Sequence, residues 1–329
     1  LGNLILFIIL MSIAIHIAEK RKVFVFGLAA LPTVLFQGSM YTYDGITFAA
    51  MTLGFILLMK EMNSNRRLNT RNLICSVILI IVGCLAKAIY IPMLFVMLAM
   101  QNCKFSQKKY ACLFRGIICV LVLLMLSTFV LPVLSNAAQG NLSYGGDARG
   151  GDTSAVRQLI SMVKHPLSSI RLFVSEILSF DNFRNLGIET KDHYLATNLM
   201  FLNFASLGTL KDTWSLGLIP FLLLLFFVPM ENEKTSVNVR IWILLMTLAS
   251  VVLIWLSMYL SFTPVGSGAI DGVQARYYLP LLCAFSYITW SDRIKINIRK
   301  EMYCTLVVGA NILFMTMCVY QLGFMSRCG

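Results

Sequence analysis

Eight long apolar runs, interrupted by short clusters of lysine and arginine, constrain this chain more than any other feature of its sequence. The runs cover residues 1–18, 23–59, 72–101, 114–134, 213–230, 241–260, 277–290 and 302–322. A water-facing surface needs more polar side chains than these runs leave over. With 58% hydrophobic and 13% charged residues and a mean hydropathy of +0.78, lipid must be the main solvent. The net charge of +12 does not point to nucleic acid, because the positive residues sit between apolar runs and form no basic stripe. No nucleic-acid partner is expected.

Run length and loop charge then set the expected topology. Residues 23–59 would reach about 55 Å as one helix, nearly twice the roughly 30 Å hydrocarbon thickness. A polar stretch at 37–45 (QGSMYTYDG) breaks this run, so a helical hairpin is expected. Run 72–101 is ambiguous by length, with Lys87 and Pro92 marking a possible turn. Two crossings there put basic clusters 20–22, 60–71, 104–115, 234–240 and 293–300 on one side. That side carries seventeen positive residues and six acids, and the other carries ten and nine. The positive-inside rule favours this arrangement. The expected fold class is therefore all-α, a polytopic integral membrane protein with about ten transmembrane helices. Residues 1–329 form a single transmembrane domain, with Leu1 and Gly329 both outside.

One hydrophilic insertion, 135–212, is expected as an extracytoplasmic loop. Its Gly-rich part, 136–151 (NAAQGNLSYGGDARGG), has no apolar periodicity and reads as a mobile loop. From Asp152, a candidate N-cap, apolar residues recur at helical spacing, and Pro166 opens a second helix. Both helices are amphipathic. They are suited either to the outer membrane interface or to packing on the spans.

Ionisable groups at membrane depth are costly and are the first candidates for a site. Asp44, in the 37–45 turn, is a candidate for binding a hydroxyl or a cation, or is an Asx-type turn residue before Gly45. Lys87 is a phosphate ligand or an interfacial anchor. In 271–280 (DGVQARYYLP), Arg276 stands where the charge rule does not call for it, flanked by Gln274, Tyr277 and Tyr278. A guanidinium with neighbouring donors suits a phosphate, although the tyrosine pair also fits an aromatic belt. Asp44, Lys87, Gln274, Arg276 and Tyr277 are thus the expected substrate-binding set, on the outer face. Nine cysteines lie mostly inside apolar runs and form no zinc pattern, and His16, His165 and His193 share no metal-ligand spacing. No protein metal site is expected, and a divalent cation is left open as a cofactor. Nucleophile-elbow, P-loop and HExxH motifs are absent.

QGSMYTYDG at 37–45, LAKAIYIPMLFVML at 85–98, KHPLSSI at 164–170 and above all DGVQARYYLPLL at 271–282 resemble the family called domain of unknown function 2142, predicted bacterial membrane proteins. The similarity runs from about Leu31 to Tyr320. The last motif typically reads G-V-Q-G-R-Y-x-x-P in that family, and Ala275 here replaces the second glycine. By resemblance, Asp44, Lys87, Gln274 and Arg276 match motif positions.

That family is similar to the GT-C glycosyltransferase superfamily, whose members use polyprenyl-phosphate-linked sugars at the outer membrane face. The resemblance implies a bacterial cell-membrane enzyme of envelope polysaccharide synthesis, its partners a lipid-phosphate-linked sugar donor and a glycan or lipid acceptor. Members carry an acidic, histidine-containing motif in a first outer loop, where GT-C enzymes place the catalytic carboxylate. This chain opens inside an apolar run, so the general base is expected upstream of Leu1. A transporter or flippase of a lipid-linked saccharide and a polysaccharide polymerase or ligase are the alternatives, and both could use the same arginine.

Overall fold

The computed structural model describes residues 1–179, 201–202, 204, 215–229, 235–290 and 298–324. The distal part of the 135–212 insertion, Lys234, most of basic cluster 293–300 and the terminus beyond 324 lie outside the described residues.

Among the described residues every regular element is helical. In chain order they are α1 (Gly2–Ile17), α2 (Lys22–Ala29), α3 (Pro32–Ser39), α4 (Asp44–Asn63), α5 (Thr70–Leu85), α6 (Lys108–Ala138), α7 (Ala155–Lys164), α8 (Pro166–Ile177), α9 (Ser215–Phe227), α10 (Val237–Ser261), α11 (Leu282–Thr289) and α12 (Lys300–Val319). The two longest 3₁₀ segments among the described residues, Ala88–Ala99 and Ala275–Leu281, lie between α5 and α6 and directly before α11.

Among the described residues four helical stretches are long and apolar enough to cross a membrane: Asp44–Asn63, Lys108–Ala138, Val237–Ser261 and Lys300–Phe324. A fifth is added if Gly2–Ile17 and Glu19–Ala29, bent by 112°, count as one broken span. Their environments differ. α4 is buried over most of its length and forms the centre of the bundle, whereas α6 exposes Leu113, Ile117, Val120, Leu123 and Leu124 on the periphery. A helix apolar on all sides is stable in either place when its surroundings are protein or lipid. Apolar burial does not drive association within lipid, so close packing must. Gly54 of α4 supplies it, because an added Cβ would come within 2.9 Å of Ile80 on α5, and Ser76 donates a 2.7 Å hydrogen bond to the Gly54 carbonyl.

The hairpin expected at 23–59 forms with two differences. Its first arm breaks at Leu31, which is held extended by the following Pro32. The turn is also shorter than 37–45, because α3 continues to Ser39 and α4 begins at Asp44. Run 72–101 divides at Lys87. Pro92 removes a backbone donor from the second part, which winds as a 3₁₀ helix. At roughly 2.0 Å per residue its twelve residues reach about 24 Å, the length of the sixteen-residue α5.

The described residues of the basic clusters share one end of the bundle. Lys60 pairs with Glu19 at 2.6 Å. Lys104 donates to the Glu61 and Ser64 carbonyls, while the Glu61 carboxylate accepts from Asn69 N at 2.9 Å and Asn72 Nδ2 at 2.7 Å. Asn63 reaches Thr235 at 3.1 Å, and Arg21 lies over the rings of Tyr287 (3.7 Å) and Trp290 (3.9 Å). Asp44 is at the other end of α4, about 30 Å away along twenty residues.

At that end the insertion forms α7 and α8, separated at His165–Pro166. The cap of α7 is Ser154, whose Oγ accepts from Arg157 N, and not Asp152. The Arg157 guanidinium draws the Asp152 carboxylate outward into a 2.5 Å ion pair. The Gly-rich stretch read as mobile is tied down. Asp147 N donates to the Ser261 carbonyl at the end of α10, Val156 N to Tyr144 O, and Thr153 Oγ1 to Asp147 O.

Candidate functional site

Three separate segments bring their charges together at the Asp44 end. The first is the start of α4. Asp44 is the first helical residue, where the unpaired amides of the helix N-terminus favour a carboxylate. Its side chain does not close a local Asx turn, because its Oδ1 accepts from Lys87 Nζ at 2.8 Å. Gly45 allows this placement. A Cβ there would stand 2.6 Å from Gly38 Cα and 2.7 Å from the Gln37 carbonyl, so any side chain would push α4 off α3. Asn3 secures the preceding turn by donating to the carbonyls of Met40 (2.9 Å) and Thr42 (3.1 Å).

The second segment is the turn between α5 and the 3₁₀ helix. Lys87 is extended (φ −149°, ψ 112°) and points its ammonium into the bundle rather than out to the interface as a plain anchor. Its Nζ sits 3.9 Å from the ring centre of Tyr277 and 5.1 Å from that of Tyr43. Burial lowers the Lys87 pKa from its ordinary value, with Asp44 pulling the other way. Burial, and then the charge on Asp44, raise the Tyr43 phenol above its usual value, so Tyr43 remains a neutral donor.

The third segment is the 3₁₀ turn Ala275–Leu281, with Gln274 as its N-cap. Arg276 Nε lies 3.5 Å from Asp44 Oδ2, near enough for ion pairing, yet it makes no hydrogen bond and is buried. Gln274 Oε1 is likewise buried without a partner. Such atoms in a folded interior require an explanation, and a bound group is one. The backbone approach to this turn depends on Gly272. Its φ of +81° is open to glycine, and a Cβ there would fall 2.3 Å from the Phe262 ring.

The structure therefore brings Asp44, Lys87, Arg276 and Tyr277 into one cluster. Gln274 borders it as the N-cap of the same turn. Asp44 carries a cation at each oxygen, so the group as a whole is one positive charge in excess. An acid held in this way orients the cations and is poorly placed to take a proton from a substrate.

Sequence reasoning missed Tyr90 and Trp255. The Tyr90 hydroxyl donates to the Tyr277 carbonyl at 2.7 Å, and Trp255 Nε1 donates to the Tyr278 hydroxyl at 3.0 Å. Together they fix the turn that carries Arg276. Tyr90 follows Lys87 by three residues, the repeat of a 3₁₀ helix, but an apolar run without visible periodicity did not reveal that repeat. Arg149, on the Gly-rich loop, completes the charged surroundings. It is paired with Asp147 (Nη2–Oδ2 2.5 Å), and these hydrogen bonds hold the Asp147 carboxyl at about 2. Among the described residues no group of histidine, cysteine and acidic side chains is arranged to hold a metal ion.

Long apolar helices around a buried centre, with charge concentrated at their ends, define an α-helical integral membrane protein. No curated protein and no solved structure matches the chain. The chain belongs to the DUF2142 family, described as predicted membrane protein, whose model matches residues 1–285.

Proposed function

We propose that this protein is a GT-C-like glycosyltransferase of the bacterial cell membrane that moves a sugar from a polyprenyl-phosphate donor to an extracytoplasmic glycan or lipid acceptor. One observation carries the reading: Lys87 and Arg276 share the single carboxylate of Asp44, beside the unpartnered Arg276 Nε and Gln274 Oε1. A phosphate is the ligand that suits two cations with one acid between them. It offers several acceptor oxygens, and Arg276 can meet it with the planar fork that a lysine lacks.

The proposed reaction is a single displacement. The bond between the anomeric carbon and the phosphate oxygen breaks as the acceptor oxygen bonds to that carbon, and the acceptor proton passes to a base. Negative charge grows on the departing phosphate, so cations already in position stabilise the transition state more than the ground state. Lys87 and Arg276 have this role, Tyr277 walls the Lys87 ammonium, and Asp44 keeps the two cations in register. None of the described residues is assigned the base.

The proposed topology has ten crossings within one transmembrane domain: α1, the α2–α3 arm, α4, α5, the 3₁₀ helix Ala88–Ala99, α6, α9, α10, the Ala275–Thr289 arm and α12. Support comes from the basic clusters meeting at one end and Asp44 standing at the other. By the positive-inside rule this arrangement supports an outward-facing site. Crossings of about 24 Å require modest thinning of the bilayer around them.

The test is reconstituted protein supplied with a polyprenyl-phosphate sugar, following labelled sugar into acceptor. Arg276→Ala is expected to lower transfer by a hundred- to a thousandfold, about 2.7–4 kcal/mol, the usual worth of one such contact. Arg276→Lys is expected to recover part of it. Normal transfer by Arg276→Ala would reduce Arg276 to an anchor. Movement of the lipid across the bilayer without transfer would replace the enzyme with a flippase.

A further inference from the structure

α7 and α8 have similar amphipathic sequences, yet the structure uses them differently. The apolar side of α7 is packed. Ala155 and Val156 are buried, and Gln158 donates from its buried side to the Tyr259 carbonyl of α10 at 3.2 Å. Among the described residues α8 packs through Phe173 against the Tyr259 ring at 5.3 Å and through Glu176, which accepts from Ile270 N. Leu172 and Ile177 are partly buried as well, whereas four other apolar residues are open. Leu167, Ile170, Val174 and Leu178, in line with Val163 of α7, are each between 51% and 82% exposed. Their spacing of three and four residues makes one continuous stripe along the helix. Arg171 stands at the edge of this stripe with Ser168 and Ser175, and Lys164 and His165 stand at its start, all of them exposed.

We infer that α8 is a membrane-surface helix whose Leu167, Ile170, Val174 and Leu178 stripe is seated in the lipid bilayer at the Asp44 end of the bundle. Four apolar side chains facing water along three turns would be a patch of the kind soluble surfaces avoid. α7, which leads into α8, packs on the candidate span α6, whose Leu131 and Leu134 are also open on the bundle periphery. The cations also lie where an interfacial helix needs them, at the rim of its apolar face and within reach of anionic head groups. The inference depends on the chain being a membrane protein and not on its chemistry.

The test places the photoreactive residue benzoylphenylalanine, one site at a time, at Leu167, Ile170, Val174, Ser168 and Ser175 of the full chain. Each variant is selected for monodisperse folding, reconstituted in vesicles of phosphatidylcholine and phosphatidylglycerol, irradiated and weighed. Phospholipid adducts are expected at 167, 170 and 174, with their loss at 168 and 175. Adducts joining the stripe to protein, whether another part of this chain, a second copy or a partner, would overturn the inference. So would equal lipid yield at all five sites, or no adduct at the stripe.

Discussion

Asp44 supports two cations, and this asymmetry predicts how the cluster fails. Replacing Asp44 with Asn leaves both Lys87 and Arg276 without their shared counter-charge and adjacent to one another. Asp44 and Lys87 are each 15% exposed, so this pair is mostly buried, and removing one partner of a buried pair costs about 3–5 kcal/mol. Lys87→Met is milder. Asp44 then still has Arg276 at 3.5 Å, and the loss is close to that of one charge-assisted hydrogen bond, about 1.5–3 kcal/mol. Arg276, 39% exposed, ranks last, at about 0–1 kcal/mol. The double change Asp44→Asn with Lys87→Met is expected to cost less than the sum, by about 0.5–3 kcal/mol, because it removes the orphaned ammonium as well.

Unfolding titrations in mixed detergent micelles measure the order and the coupling. A second reading separates a binding site from a structural clamp: inorganic phosphate should stabilise Asp44→Asn more than the unaltered protein, since two cations then lack a counter-ion. If Asp44→Asn is no more damaging than Lys87→Met, or the two effects simply add, the site is not organised on Asp44. If phosphate stabilises neither protein, the cluster holds helices together and binds no anion.

Three further outcomes are expected. Lys87 has a pKa below the ordinary 10.5, so its proton destabilises the fold at pH below its folded value, and that cost disappears as pH rises towards 10.5. Anion binding and transfer should fall over the same interval, and Lys87→Arg should move the alkaline limb of the pH–rate profile upward. Tyr90→Phe should lose about 1 kcal/mol of stability with its bond to the Tyr277 carbonyl, and should lower sugar transfer while membrane insertion stays intact. Cys103 and Cys112, both exposed at the basic end, should react with an impermeant maleimide only after permeabilisation, whereas a cysteine at Ser143 should react in intact cells. Labelling of Cys103 in intact cells would invert the proposed topology.

How much of the site could be read in the sequence follows from which interactions leave a local signature. Asp44, Lys87 and Arg276 were visible because an ionisable residue inside an apolar run is conspicuous by cost alone. The helices 155–164 and 166–177 were visible through their apolar spacing and Pro166. What remained hidden was set by distant or unpatterned contacts. The 3₁₀ winding of Ala88–Ala99 has no periodic mark in an all-apolar run, so Tyr90 could not be aligned with Lys87. Asp152 and Ser154 are equally good caps by type, and the choice was made by the Arg157 side chain. The tethering of the Gly-rich loop depends on Ser261, more than a hundred residues later.

The pairing of Asp44 with two cations has the same character. Lys87 and Arg276 are 43 and 232 positions away from it in the sequence, and only a turn made possible by Gly45, with a second made possible by Gly272, brings them within one ion-pair distance. A charge buried by such means is exposed to two independent failures, loss of the counter-charge and loss of the close backbone approach. The first should be rescued by an added anion and the second should not. Glycine-to-alanine changes at 45 and 272 therefore provide the structural control against which any phosphate rescue of Asp44→Asn has to be judged.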